Sequence, residues 1–187
     1  MTSWSICGIT RALLPLLLAL SLLEIVGSGL VLAQFEAALL QYPSLLVLVP
    51  VMIGTAGNLG SILAARTSTA FHLGTLSLNV YDDHLRGNSL LTLVLAVSVF
   101  PLVGAGGWLL TGILGQTTLS PVTVITIATI SGVLLAVLAI IVTFVATYVA
   151  YQMQLDPDDI VIPVVTNVCD VLGVLVLFIV TQLLVPV

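Results

Sequence analysis

IVIPVVTNVCDVLGVLVLFIVTQLLVPV, residues 160–187, is an apolar run with one carboxylate, Asp170, in its interior. A spanning helix needs about 20 consecutive apolar residues, which this run exceeds. A carboxylate at bilayer depth costs roughly 3 kcal/mol on insertion scales. Such a group is tolerated where it faces a pore, a partner or a cavity. The first expectation is therefore a transport site for something positively charged.

Composition points the same way. Of the 187 residues, 60% are hydrophobic and only 6% charged, with a mean hydropathy of +1.33. A soluble domain carries about 25% charged residues, so this chain lacks the polar surface that water requires. The reading is an all-α integral membrane protein. A net charge of −5 argues against nucleic acid as a partner; only Arg11, Arg66 and Arg86 are basic. Cys7 and Cys169 lie at opposite ends of the chain, so neither a disulfide nor a zinc spacing is expected.

Working back from residue 160, four more apolar runs appear. Five spans are expected over about 12–33, 44–65, 89–110, 122–148 and 160–185. The first has Glu24 in its interior and Glu36 just beyond it. Val31-Leu32-Ala33 resembles a signal-peptide cleavage site, but the apolar stretch before it exceeds the usual h-region of about 7–15 residues, which favours a retained helix. Arg66–Asn88 reads as a polar connector holding Asp82, Asp83, His84 and Arg86. A short turn with Gly112, Gly115 and Pro121 separates spans three and four, and Asp156-Pro157-Asp158-Asp159 separates four and five. Long continuous runs, rather than alternating strands of about ten residues, exclude a β-barrel.

The three arginines orient the chain. Each flanks a span on the same side, which the positive-inside rule assigns to the cytoplasm. The expectation is a multi-pass protein of the plasma or inner membrane, its N-terminus cytoplasmic and its C-terminus external.

Two segments carry chemistry. In span two, Gly54, Gly57 and Ser61 share one helix face, with Asn58 beside them and Gly60 following. Small residues at this spacing let helices approach closely. Asn58 also places an amide in mid-span, and Gly57 and Gly60 can expose carbonyls to a pore. Packing and ion handling both remain open for this face. In span five, Thr166, Asp170 and Gly173 fall on one face, flanked by Asn167. The chain has no lysine, which disfavours an interhelical ion pair and favours an ion site.

One Asp170 balances a proton or a monovalent ion. Two of them, brought together by a two-fold axis along a pore, match a divalent cation. Magnesium prefers oxygen ligands and keeps its water, as carboxylates, amides and carbonyls allow. The His and Cys set that zinc or copper favours is missing. No organic cofactor is called for, and no HExxH or Gly-x-Ser-x-Gly suggests an enzyme.

At this point the chain resembles a known family. Gly57-Asn58-x-Gly60, Arg66, Ser68-Thr69-Ala70 and Gly74 are similar to the signature of MgtE-type magnesium channels and transporters. The Arg66-to-Gly74 part is closest to the related solute carrier family 41. Phe35-Glu36, and Asp156-Pro157-Asp158 with Pro163 and Asp170-x-x-Gly173, resemble further parts of the pattern. The resemblance implies a five-helix transmembrane unit whose pore forms by dimerisation. In it Asp170 binds magnesium, Asn58 lies along the pore, and Thr166, Asn167 and Gly173 line or narrow the path. Animal members hold two such units in one chain, so a single unit is expected to form a homodimer or to pair with a paralogous half. Bacterial members add a large cytosolic domain and CBS modules. Here little precedes span one, and no such regulatory domain is expected. Ile62 stands where the bacterial pattern has Gln, and Asp159 where it has Asn.

Other residues have weaker claims. Asp156, Asp158 and Asp159 either draw cations to the cytoplasmic mouth or cap the last helix. Asp82-Asp83-His84 reads as an acidic loop rather than a metal sensor. Glu24 serves either packing or the ion path, and Glu36 is a possible further ion contact. His72 has no evident partner. The competing functions are a proton- or sodium-coupled exchanger and a non-transporting membrane subunit.

Overall fold

A computed structural model describes residues 6–75, 82–153 and 155–185. Five helices follow in order: α1 (Ile6–Gln41), α2 (Pro43–His72), α3 (Asp83–Ile113), α4 (Pro121–Gln152) and α5 (Pro157–Leu184). No strand occurs among the described residues, and each helix is long and apolar enough to cross a membrane.

The helices outrun the apolar runs that announce them. The expected connector from Arg66 is helical at first, since α2 continues to His72, and α3 already opens at Asp83. Polar residues mark where a chain leaves hydrocarbon, but the backbone keeps its own hydrogen bonds into the headgroup layer. Helices of 28–36 residues rise about 1.5 Å per residue and so exceed a hydrocarbon core of about 30 Å.

Local chemistry sets the ends. Asp82, expected as loop, caps α3: its carboxylate accepts from the backbone N–H of His84 at 2.9 Å and of Leu85 at 3.1 Å. Ser120 accepts from the Thr123 N–H in the same way at the start of α4. At the far ends of α2 and α3, Gly74 and Gly115 adopt φ of 65° and 68°. That left-handed turn lets the next N–H reach back, Thr75 to the Ala70 carbonyl and Gln116 to that of Thr111. Asp82→Ala is expected to lower stability by about 1 kcal/mol, seen as a lower thermal midpoint in detergent with transport per folded molecule unchanged.

α2 is the centre of the bundle and touches all four other helices, while α1 lies mainly along α5. Leu45, Leu48 and Met52 of α2 meet Phe100 of α3, Ile127 of α4 and Leu177 of α5, all fully buried. Lipid is as apolar as these side chains, so close packing rather than water exclusion must hold the helices together. Glycines make that possible. A Cβ on Gly104 would stand 2.8 Å from the Ile125 Cα, and one on Gly132 would fall within the Phe100 ring. Buried hydroxyls add polar contacts, as between Ser44 and Thr111 at 2.9 Å.

Prolines stand inside α2, α3 and α5 at Pro50, Pro101 and Pro163. Each removes a backbone donor, which a membrane helix tolerates where side chains or neighbours compensate. In α5 the amide of Asn167 donates to the Pro163 carbonyl at 2.9 Å. This places polar side chains and a perturbed helical turn just ahead of Asp170.

Candidate cation site

The site is built where α2 and α5 cross. Gly57 is buried on α2, and a Cβ there would stand 3.0 Å from Asp170 Oδ1 and 3.5 Å from the Thr166 methyl. The missing side chain is thus the space in which the carboxylate lies. One turn along, a Cβ on Gly60 would meet Val165 at 2.7 Å and Cys169 Sγ at 3.2 Å. Gly173 faces Ile53, with 3.3 Å from its Cβ position to the nearest side-chain atom. Three glycines, two on α2 and one on α5, therefore set the separation of the two helices at the depth of Asp170.

The polar groups there differ in how they are engaged. Thr166 donates its hydroxyl to the Ile162 carbonyl at 2.9 Å, which leaves its oxygen as an acceptor. The Asn167 nitrogen is held by Pro163, which leaves its amide oxygen as the remaining polar end. On α2, Ser61 donates to the Gly57 carbonyl at 2.6 Å. Asp170 is half-buried and far from the arginines in the chain. Arg66 donates to Asn88 Oδ1 at 2.7 Å, bridging α2 and α3; Arg11 and Arg86 are exposed near the starts of α1 and α3. Glu24, half-buried on α1, is a further carboxylate in the interior of a span.

The structure thus brings Gly57, Thr166 and Asp170 together, and α1 packs on α5 through Gly27 against Val171. Gly54 and Asn58 point elsewhere. Both are exposed on α2, and nothing lies within 4 Å of a Cβ on Gly54. Glu36 is exposed on α1 beside the buried Phe35, whose ring packs edge-on against Phe178. Asp156 lies just before α5 and Asp159 in its first turn, and the Asp159 N–H donates to the Asp156 carbonyl at 3.2 Å. The side chain of Asp158 lies outside the described residues. Asp82 and Asp83 form no metal cluster; no group of three or more His, Cys, Asp or Glu occurs among the described residues.

Sequence reading missed two contacts. His72 has a partner: its Nε2 lies 3.4 Å from Asp156 Oδ1, tying the end of α2 to the start of α5. Gly27 of α1 also escaped notice, although a Cβ on it would stand 2.7 Å from Val171. A glycine one turn after Glu24 was its only sequence signal.

Gly57→Ala is expected to displace the Asp170 carboxylate and to reduce divalent-cation flux about tenfold, equivalent to ~1.4 kcal/mol. Gly29→Ala, at an exposed position with nothing within 4 Å, is expected to leave flux unchanged. Flux measured in liposomes for both variants checks the contrast.

Residues 49–180 match the family model of MgtE, a divalent cation transporter. The chain belongs to that family. Among curated proteins, none matches the chain. The matched region takes in most of α2 and the helices after it up to Val180, while α1 precedes it. The family is one of transporters rather than enzymes.

Proposed function

We propose that the protein carries magnesium across a cell membrane, through a pore in which Asp170 binds the ion. The observation that carries this reading is the apposition of Asp170 with Gly57, a half-buried carboxylate given space by the absence of a side chain. A carboxylate in that setting is costly unless a cation or water column faces it. Oxygen donors alone, from Asp170, Thr166 and Asn167, suit a hard ion that keeps part of its hydration shell.

What the single chain leaves uncovered supports pairing of two chains. Asn58 exposes an amide from the middle of α2, where lipid offers it no hydrogen bond. A second copy, or a paralogous half, set on this face would cover Asn58 and Gly54 and close the pore. On this reading Asn58, Gly57, Gly60 and Gly173 line or shape the path. Asp156, Asp158 and Asp159 stand at its cytoplasmic mouth, with the N-terminus on the same side.

Purified protein in liposomes tests this. Saturable magnesium uptake without a sodium or proton gradient, by particles of dimeric mass, is the expected result. Uptake that requires such a gradient would make the protein an exchanger. No uptake of any divalent cation would leave it a non-transporting subunit.

A further inference from the structure

Glu24 is the second carboxylate placed within the spans, and packing alone does not account for it. It lies on α1 at i, i+3 and i+4 with Gly27 and Ser28, so the three share a face. Gly27 fixes which face that is. Its Cβ position meets the Val171 side chain at 2.7 Å, so the face packs on α5 next to Asp170. Around it α1 is largely uncovered, with Leu22, Leu23, Ile25, Val26 and Leu30 all exposed. Glu24 is half-buried between them because it turns inward.

Two further observations bear on what it does there. Gly27 lies one turn beyond Glu24 and meets Val171, the residue after Asp170, so both carboxylates belong to the α1–α5 contact. Cationic side chains do not relieve them, since Arg66 is held by Asn88 and Arg11 and Arg86 are exposed at helix ends. In addition, the Ser28 hydroxyl oxygen is buried and has no hydrogen-bond partner. A buried hydroxyl left unmatched on the same face as a carboxylate is a group that a bound ion or its water would satisfy. Two carboxylates and a hydroxyl in a low-dielectric setting need a cation or its bound water to be satisfied.

We propose that Glu24 is a specificity-determining residue of the Asp170 site, adding a further negative charge beside it that favours a divalent over a monovalent cation. This rests on the reading of Asp170 as the ion-binding residue.

Magnesium and sodium affinity, thermal midpoint without ions, and magnesium flux are measured for the full chain and for Glu24→Gln, Glu24→Asp and Asp170→Asn. Glu24→Gln is expected to weaken magnesium binding roughly 10–100-fold, the range for losing a partner of a metal site. Sodium binding should change much less. The ion-free midpoint should hold or rise, because a like-charge repulsion is relieved. Glu24→Asp should recover part of the magnesium affinity, and it is the variant to read if Glu24→Gln does not fold. Unchanged magnesium affinity in both Glu24 variants, with flux lost in Asp170→Asn, would overturn the role of Glu24 and leave Asp170 standing. A fall in ion-free midpoint with equal losses for sodium and magnesium would make Glu24 a packing residue. Unchanged flux in Asp170→Asn would remove the reading beneath it.

Discussion

Asp170→Asn is expected to abolish magnesium uptake by reconstituted protein, a loss of about 100-fold or more, while the purified particle keeps its mass. A hundredfold corresponds to ~2.7 kcal/mol. Asparagine matches the size of aspartate and keeps a hydrogen-bonding oxygen, so the contact with Gly57 and Thr166 survives the change. Only the charge goes. In a low-dielectric path that charge is the main compensation for an ion shedding water. Asp170→Glu keeps the charge on a longer stem, in the space that the missing side chain of Gly57 leaves, and should retain partial flux. If asparagine transported as well as aspartate, Asp170 would be a hydrogen-bonding residue of assembly. A dispersed or monomeric Asp170→Asn particle would point the same way.

The largest effect on stability is expected from Gly132→Ala. Phe100 and Gly132 pack α3 on α4, and the added methyl would fall within the Phe100 ring. Phe100 has no exposed surface into which to swing, and its neighbours Ile127 and Ala128 are fully buried too. Overpacking a tight core typically costs about 1–3 kcal/mol; because backbone movement is required here, the upper end applies. The thermal midpoint in detergent should drop by several degrees, with a smaller share of monodisperse protein. Trimming the ring in a Gly132→Ala, Phe100→Leu double variant should recover part of the loss, a coupling that two independent sites would not show. A midpoint equal to that of the unchanged protein would mean that α3 and α4 lie further apart than described.

Transport and stability thus separate along the chain. Gly57 and Gly132 are both buried helical glycines at close contacts, and a sequence alone gives them equal standing. What differs is the partner. Gly132 meets an aromatic ring, so its role is close packing. Gly57 meets a carboxylate, so its role is space for a polar group. His72 is a parallel case: it is tied to Asp156 across more than eighty residues of sequence, and no periodicity within α2 points to that contact.

Five spanning helices, their order, and the polar faces around Gly57 and Asp170 were determined by the sequence alone. The reason is that a backbone in lipid must satisfy its own hydrogen bonds, so an apolar run of sufficient length has one outcome. Side chains three and four apart then share a face by helical geometry. Only the tertiary structure decided that Gly57 faces Asp170, that the Gly27 face of α1 packs on α5, and that Asn58 and Gly54 are left uncovered. These relations depend on how far and at what rotation two helices approach. That is set by non-local packing of small residues such as Gly27, Gly60 and Gly173 against specific side chains, to which the local pattern of each helix is blind.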